Sequence, residues 1–247
     1  MLKSLRVRLS QGKQFIPDVR AAKPAGFRGL PVIQPGACGD CRACIDACPT
    51  AAITAEPLAI DLGRCIFCGE CETACPDGKI ALTNEPRMGA VTRAGLIVKA
   101  GDEAATRVRA HDGFRKLFGR SLKLRQVSAG GCSACELELN ATANVNFDLG
   151  RFGIDWVASP RHADALVLTG TVTRTMQDAV KLAWDAMAEP RFVVAVGACA
   201  ISGGLYDGAA GVARVFFDEV VPALYVPGCP PHPLTFVNAI LDFLGVA

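Results

Sequence analysis

One cysteine pattern constrains this chain more than any other feature. Cys38-Gly39-Asp40-Cys41-Arg42-Ala43-Cys44-Ile45-Asp46-Ala47-Cys48-Pro49 returns 27 positions later as Cys65-Ile66-Phe67-Cys68-Gly69-Glu70-Cys71-Glu72-Thr73-Ala74-Cys75-Pro76. Three cysteines at two-residue spacing wrap round one iron–sulfur cube, and the fourth of each run points away to ligate the other cube. The pattern predicts two [4Fe–4S] clusters. One is held by Cys38, Cys41, Cys44 and Cys75, the other by Cys65, Cys68, Cys71 and Cys48. The proline after each fourth cysteine ends a short helix and turns the chain. Short apolar runs follow each copy, Ala51–Thr54 and Lys79–Thr83, and are expected to pair as minimal strands. Structural zinc takes cysteines in pairs, four per metal, and fits two complete runs with their prolines poorly.

Over residues 32–84 the chain resembles bacterial-type two-cluster ferredoxins. The resemblance implies one-electron transfer at low potential, with no chemistry on a substrate. The total of twelve cysteines is even, yet a disulfide scaffold is normally a small secreted chain, and this one has 247 residues. Its first residues, Met1 to Ser10, lack the apolar core of a signal peptide. The cysteines are therefore expected to be reduced and metal-holding, in a cytosolic setting. A formal charge of +2 gives no global basic field for nucleic acid. The longest stretch free of Asp, Glu, Lys and Arg, Val220 to Leu241, carries Pro222, Pro227, Pro230, Pro231 and Pro233. A lipid-exposed helix could not satisfy its backbone there, so any membrane contact is expected to be peripheral. Neither G-x-G-x-x-G nor a Walker loop occurs, so no nucleotide is expected to bind.

Composition divides the chain into four parts. Residues 1–31 form a basic arm, with Lys3, Arg6, Arg8, Lys13, Arg20, Lys23 and Arg28 against Asp18 alone. Leu2, Leu5, Leu9 and Phe15 or Ile16 make a rough helical stripe there, suited to docking on a neighbouring subunit or lying on an anionic membrane surface. Residues 32–84 hold the repeat. Residues 85–121 read as a basic connector with Arg87, Arg93, Lys99, Arg107, Arg109, Arg115, Lys116 and Arg120, a solvated or partner-facing face with some helix near Ala110–Phe118.

Residues 122–247 alternate strand-like and helix-like runs. Leu122–Val127, Ile154–Ala158, Ala165–Thr169, Phe192–Val196 and Ala223–Val226 read as buried strands, and Ala134–Val145, Thr173–Ala188 and Leu234–Leu244 as helices. The pattern predicts an α/β domain, a parallel sheet covered by helices on both faces. The remaining cysteines then fall on one edge. Cys132 and Cys135 follow the first strand, Cys199 follows Phe192–Val196, and Cys229 follows Ala223–Val226. The carboxyl edge of a parallel sheet is where such folds bind ligands. Four thiolates converging there predict a metal site. Zinc is a rival at this site, because four cysteines are also a complete zinc set, and Cys199 alone could be free. Gly-rich loops and two clusters already in the chain favour a third [4Fe–4S] cluster.

Residues 122–240 also resemble the small-subunit family shared by [NiFe]-hydrogenases and by the 20 kDa component of complex I. The matching motifs are Gly131-Cys132-Ser133-Ala134-Cys135-Glu136-Leu137-Glu138, Phe147-Asp148-Leu149-Gly150-Arg151-Phe152-Gly153, Ser159-Pro160-Arg161-His162-Ala163-Asp164, Gly170-Thr171-Val172-Thr173, Gly197-Ala198-Cys199-Ala200-Ile201-Ser202-Gly203-Gly204 and Pro227-Gly228-Cys229-Pro230-Pro231. The resemblance implies a flavodoxin-like domain, here preceded by a small ferredoxin-like α+β domain. It implies a terminal cluster beside the active site of a separate large subunit, either a hydrogenase large subunit or a complex I 49 kDa-like subunit. Cys132-Ser133-Ala134-Cys135 has the hydrogenase form, where complex I relatives carry adjacent cysteines, while Gly170-Thr171-Val172-Thr173 has the complex I form. His232 stands where many relatives carry Arg or Lys. The combination is nearest to energy-converting hydrogenases and formate hydrogenlyase-type complexes, with a quinone-reducing complex lacking nickel as the alternative. Membrane-arm partner subunits and a peripheral position on the cytoplasmic side of the inner membrane are expected with it.

Glu136, next to a cysteine ligand, reads either as a protonatable group coupled to cluster redox state or as a first-turn helix acid. Arg151 and Arg161 read as partner contacts, cluster hydrogen-bond donors or surface ion pairs, and His162 and His232 as cluster-rim or structural histidines. Each oxidised four-thiolate cluster carries about −2, so three would take the +2 chain to about −4.

Overall fold

The computed structural model describes residues 2–36, 38–101, 108, 116–118 and 121–246. The expected helix near Ala110–Phe118 lies mostly outside the described residues.

Five strands form one parallel sheet: β6 (Leu122–Ser128), β7 (Ile154–Trp156), β8 (Ala165–Thr169), β9 (Phe192–Val196) and β10 (Leu224–Val226), in spatial order β10-β9-β8-β6-β7. Counted within the sheet this is the 2-1-3-4-5 order of flavodoxin-like folds, with its switch point between β6 and β8. The central strands β8 and β9 are buried at every position, which is why they read as unbroken apolar runs rather than alternating ones. One face is covered by α8 (Pro233–Leu244), whose Phe236, Val237, Ile240 and Phe243 pack on Leu122, Val167, Val194 and Val226. The other is covered by α5 (Gln177–Asp185) and α7 (Phe216–Glu219), with Val180 and Phe216 against Leu166, Leu168 and Val193.

α8 explains the charge-free stretch. Eleven of its twelve residues are buried, so it is apolar all round because it is a core helix. Among the described residues no helix is long and apolar enough to cross a membrane. The exception on α8, Asp242, accepts from Arg20 Nη1 at 2.6 Å and Arg87 Nη2 at 3.1 Å. Arg20 Nη2 also donates to the Val246 carbonyl at 2.5 Å. The basic arm is thereby folded onto its own chain: Val19 is buried, Asn238 Nδ2 donates to the Val19 carbonyl at 2.9 Å, and Arg151 Nη2 donates to the Ile16 carbonyl at 2.9 Å. The first helix, α1 (Leu2–Gln11), has no buried residue.

The repeat region differs from expectation in its strand pairing. Ala51–Thr54 and Lys79–Thr83 do not pair with each other. β2 (Ile53–Ala55) forms an antiparallel hairpin with β3 (Leu58–Asp61), and β4 (Ile80–Leu82) pairs with β1 (Pro31–Ile33). The outer partners lie in segments that carry no cysteine, and β5 (Ile97–Lys99) from the basic connector extends the hairpin to three strands. Helices α2 (Ala43–Asp46) and α3 (Glu70–Ala74) carry the middle of each cysteine run.

Residues 85–101 are more than a solvated face. Met88, Ala90, Leu96 and Val98 are buried, Ala90 bridges Tyr225 beside β10, and Arg93 makes two bonds to Asp61, at 2.7 and 2.6 Å. One core cluster contains Ile33, Ile53, Ile60 and Ile80 from the repeat region together with Ala195, Ala200, Ile201 and Tyr225 from the sheet domain.

Candidate iron–sulfur sites

The first cysteine set comes together from both repeats. Cys44 lies beside Cys75, Cys38 and Cys41, and burial, reinforced by repulsion from those neighbours, pushes its thiol up. The second set does the same, with all four of its cysteines lining one cavity. Burial pushes Cys65 up to about 12 and Cys71 to about 11, with Cys48 and Cys68 adding repulsion to both. Each run thus donates its fourth cysteine to the other set. Crowded, desolvated thiols give up their protons when a positive metal centre replaces them, so loading releases protons.

Amide hydrogens point at these sulfurs. Ala52 N–H donates to Cys48 Sγ at 3.2 Å, Phe67 N–H to Cys65 Sγ at 3.3 Å and Lys79 N–H to Cys75 Sγ at 3.3 Å. Lys79 Nζ lies 3.8 Å from Cys38 Sγ. Such bonds favour the thiolate form, and bonds to cluster sulfurs are one means by which a protein sets cluster potential. An apolar cavity lined by Ile53, Ile60, Phe67, Leu82, Cys48 and Cys65 surrounds the second set. Four thiols and amide donors at each place, with an apolar wall around the second set, fit a [4Fe–4S] cluster.

The remaining four cysteines converge on the carboxyl edge of the sheet. Cys135 lies beside Glu136, Cys199, Cys229 and Cys132, and burial, then the Glu136 carboxylate, then those thiols push its own thiol up. The loops are shaped for this. Ser133 takes a left-handed φ of 66°, turning the chain between the first two cysteines into α4 (Ala134–Ala141). Cys199 opens the first turn of α6 (Gly197–Ser202), directly off β9. Ala198 N–H donates to the Gly228 carbonyl at 2.9 Å, tying the Cys199 and Cys229 loops. A Cβ on Gly197 would stand 2.7 Å from Cys135 Sγ, and Gly197 has φ +86°. Cys132 and Cys229 are exposed, so the site opens to the surface. Among the described residues no three His, Cys, Asp or Glu side chains lie at the spacing of ligands to one metal ion.

Glu136 sits behind this site. Burial pushes its carboxyl up, but hydrogen bonds from Ser128, Thr169 and its own amide outweigh that and leave it below the usual range. Thr169 Oγ1 donates to Glu136 Oε1 at 2.7 Å. Glu138 is raised by burial. His162 is placed away from the cysteine edge. It is exposed and precedes β8, so the strand's five residues, about 3.3 Å each, separate it from that edge. Arg161 is exposed on the same turn. Arg151 stacks on Phe152 and Phe15, at 4.8 and 5.7 Å to the ring centroids, and anchors the arm. His232 lies against Phe27 and Phe147 and caps α8, its Nδ1 accepting from Leu234 N–H at 3.1 Å.

Three residues at these sites carried no sequence signal. Arg214 donates to the carbonyls of Cys199, Ala200 and Ile201 at 3.2, 2.9 and 2.9 Å, closing the C-terminal turns of α6. Phe67 and Arg28 lie between the second set and Cys229, and all three line one cavity with Cys68 and Met88.

Residues 132–243 match the family of the NADH ubiquinone oxidoreductase 20 Kd subunit, and residues 37–79 match the 4Fe-4S dicluster domain. Residues 37–79 are thus similar to a 4Fe-4S dicluster domain, and residues 132–243 to a 20 kDa-subunit domain. Formate hydrogenlyase subunit 7 of Escherichia coli is 41% identical over 132 residues, covering 53% of this chain and 51% of that protein. The NADH-quinone oxidoreductase B subunit of Citrifermentans bemidjiense is 44% identical over 112 residues, covering 45% of this chain and 65% of that protein. Its counterpart of the same name in Desulfovibrio desulfuricans is 47% identical over 104 residues, covering 42% and 56%. The chain thus spans between half and two thirds of these curated relatives, which are subunits of oxidoreductases. A chain from the archaeal membrane-bound sulfane sulfur reductase is 28% identical, with TM-score 0.42, covering 53% of this chain and 71% of that one.

Proposed function

We propose that this chain is the iron–sulfur electron-transfer subunit of a membrane-associated, complex I-like [NiFe]-hydrogenase of the formate hydrogenlyase type. Its four parts, residues 1–31, 32–84, 85–121 and 122–247, are an arm, a two-cluster domain, a connector and a terminal-cluster domain. Twelve cysteines hold three [4Fe–4S] clusters: Cys38, Cys41, Cys44 and Cys75; Cys48, Cys65, Cys68 and Cys71; Cys132, Cys135, Cys199 and Cys229. The clusters supply one-electron transfer with no bond made or broken. The observation that carries the proposal is the cavity that Cys68 and Cys229 line together. It supports a relay in which the second set neighbours the sheet-edge set and the first set is outermost.

The protein's own part is to hold the thiolates, exclude water around Cys65 and Cys135, and aim amide donors at the sulfurs. Glu136, held as a carboxylate by Thr169 and Ser128, stands where a proton could be passed beside the terminal site. The partners are a large subunit over the exposed Cys132 and Cys229, and membrane-arm subunits, on the cytoplasmic face. The Cys132-Ser133-Ala134-Cys135 spacing favours the hydrogenase branch. The 44% identity to a component of an NADH-quinone oxidoreductase supports a second reading, a quinone-reducing complex whose large subunit has no nickel.

Cys199→Ser tests the ligand assignment. The purified variant should lose about a third of its iron and all delivery to the large subunit, with two ferredoxin-type clusters intact. Retention of the full iron content would show the assignment to be wrong. Nickel in the co-purified large subunit decides between the two readings.

A further inference from the structure

The second cysteine run and the Cys229 loop belong to different domains, and one wall of the cavity they share comes from neither. Gly26, Phe27 and Arg28 of the N-terminal segment form one wall of the cavity that holds Cys68 and Cys229. Arg28 Nη1 donates to the Cys68 carbonyl. Its side chain lies against Gly69, where a Cβ would meet Arg28 Nη1 at 3.1 Å and Cδ at 3.6 Å. Gly69 has φ +88°, so backbone and contact both exclude a side chain there.

The backbone under Arg28 is fixed. Gly29 N–H donates to the Thr83 carbonyl at 2.6 Å and Leu30 N–H to the Glu85 carbonyl at 3.0 Å. A Cβ on Gly29 would collide with the Glu85 carbonyl oxygen, so the chain passes there at backbone distance. Among the described residues no carboxylate is paired with Arg28. A guanidinium on a rigid strap, fastened to the carbonyl of a cysteine and unneutralised by an acid, is an arrangement that acts through its charge.

We propose that Arg28 is a positioning residue that raises the potential of the site formed by Cys48, Cys65, Cys68 and Cys71, and so biases the single-electron step between it and the Cys229 site. The inference rests on the relay proposed above. Reduction adds one negative charge and moves no proton or bond, and a fixed cation beside the site stabilises the reduced state by Coulomb attraction. Arg28 is exposed, so water screens part of the effect.

The test compares the full-length wild type with Arg28→Gln and Arg28→Lys, by iron content and by redox titration followed by electron paramagnetic resonance. Arg28→Gln keeps a donor for the Cys68 carbonyl and removes the charge. Full iron in all three proteins is expected, with one cluster of Arg28→Gln becoming harder to reduce by about two- to tenfold in its equilibrium constant. Arg28→Lys should restore most of that shift. Unchanged potentials with full iron would overturn the role of Arg28 and leave the relay standing. Loss of iron in Arg28→Gln would overturn it in favour of a purely structural staple. A wild type holding too little iron for three clusters would overturn the relay itself.

Discussion

At the scale of single residues, the sheet-edge site is controlled by atoms that are missing. Gly197 is the clearest case, because its φ of +86° and the 2.7 Å approach of Cys135 Sγ to a would-be Cβ both demand glycine. Gly197→Ala costs about 1–2 kcal/mol in backbone energy alone and must also displace the Cys135 sulfur. The variant should fold, lose about a third of its iron and keep the ferredoxin-type spectrum, measured by iron assay and visible absorption. Val172, a β-branched residue at φ 57° and fully buried, stores strain next to the same edge. Its carbonyl accepts from Ala213 N–H at 2.8 Å, which holds the Gly170–Thr173 turn in place.

At the scale of elements, the helices show where pattern and packing part company. α5 begins at Gln177 rather than Thr173, because Thr173 is held in an antiparallel bridge with Val212. α4 ends at Ala141, where the Thr142 hydroxyl instead accepts from Trp156 Nε1 at 3.1 Å. α8 starts at Pro233 because His232 caps it. Burial lowers the His232 pKa, and only an unprotonated Nδ1 can accept from Leu234 N–H. In the unfolded chain the ring titrates near about 6.5. The folded state therefore resists protonation. The cap contributes its full stability above that pH, and the contribution fades as pH falls towards the lower folded pKa. Asn caps without titrating. The melting temperature of the wild type should fall more than that of His232→Asn between pH 7.5 and 5, to be read by thermal unfolding at about 0.5-unit steps. Equal losses would remove the cap from the explanation.

At the scale of the whole molecule, the repeat region and the parallel sheet share a core. Gly63 touches α6 so closely that a Cβ would stand 2.7 Å from Ile201 Cγ2 and 2.9 Å from the Arg93 guanidinium carbon. Arg93 ties this point to Asp61, and Arg64 reaches Asp207 across the same seam. Gly63→Ala should open the seam at a cost of about 1–3 kcal/mol, while Gly211→Ala, with open space around it, should cost far less. Limited proteolysis would show it as faster cleavage between the domains in the first variant only.

The cysteine spacing by itself predicts which sulfurs group in the repeat, because a cube would leave no slack in how closely its ligands follow one another, and the structure brings those thiols side by side. The apolar runs likewise determined strands β8, β9 and β10, since strands buried on both faces are continuous in hydrophobicity. Other features are set by contacts between residues far apart in the chain, and these leave no periodic trace. β1, β3 and β5, rather than the two post-repeat runs, complete the small sheets. Basic residues 85–101 pack inward because Asp61 and Asp242 meet their arginines from distant segments. His162 lies at the wrong end of β8 for the cluster rim, a matter of strand direction. Arg28 reaches Cys68 across 40 residues, and nothing in its local sequence says so. Local spacing dictates cysteine grouping and strand type, while only the tertiary structure decides which group faces which, because that depends on how separately patterned segments bury their remaining apolar surfaces against each other.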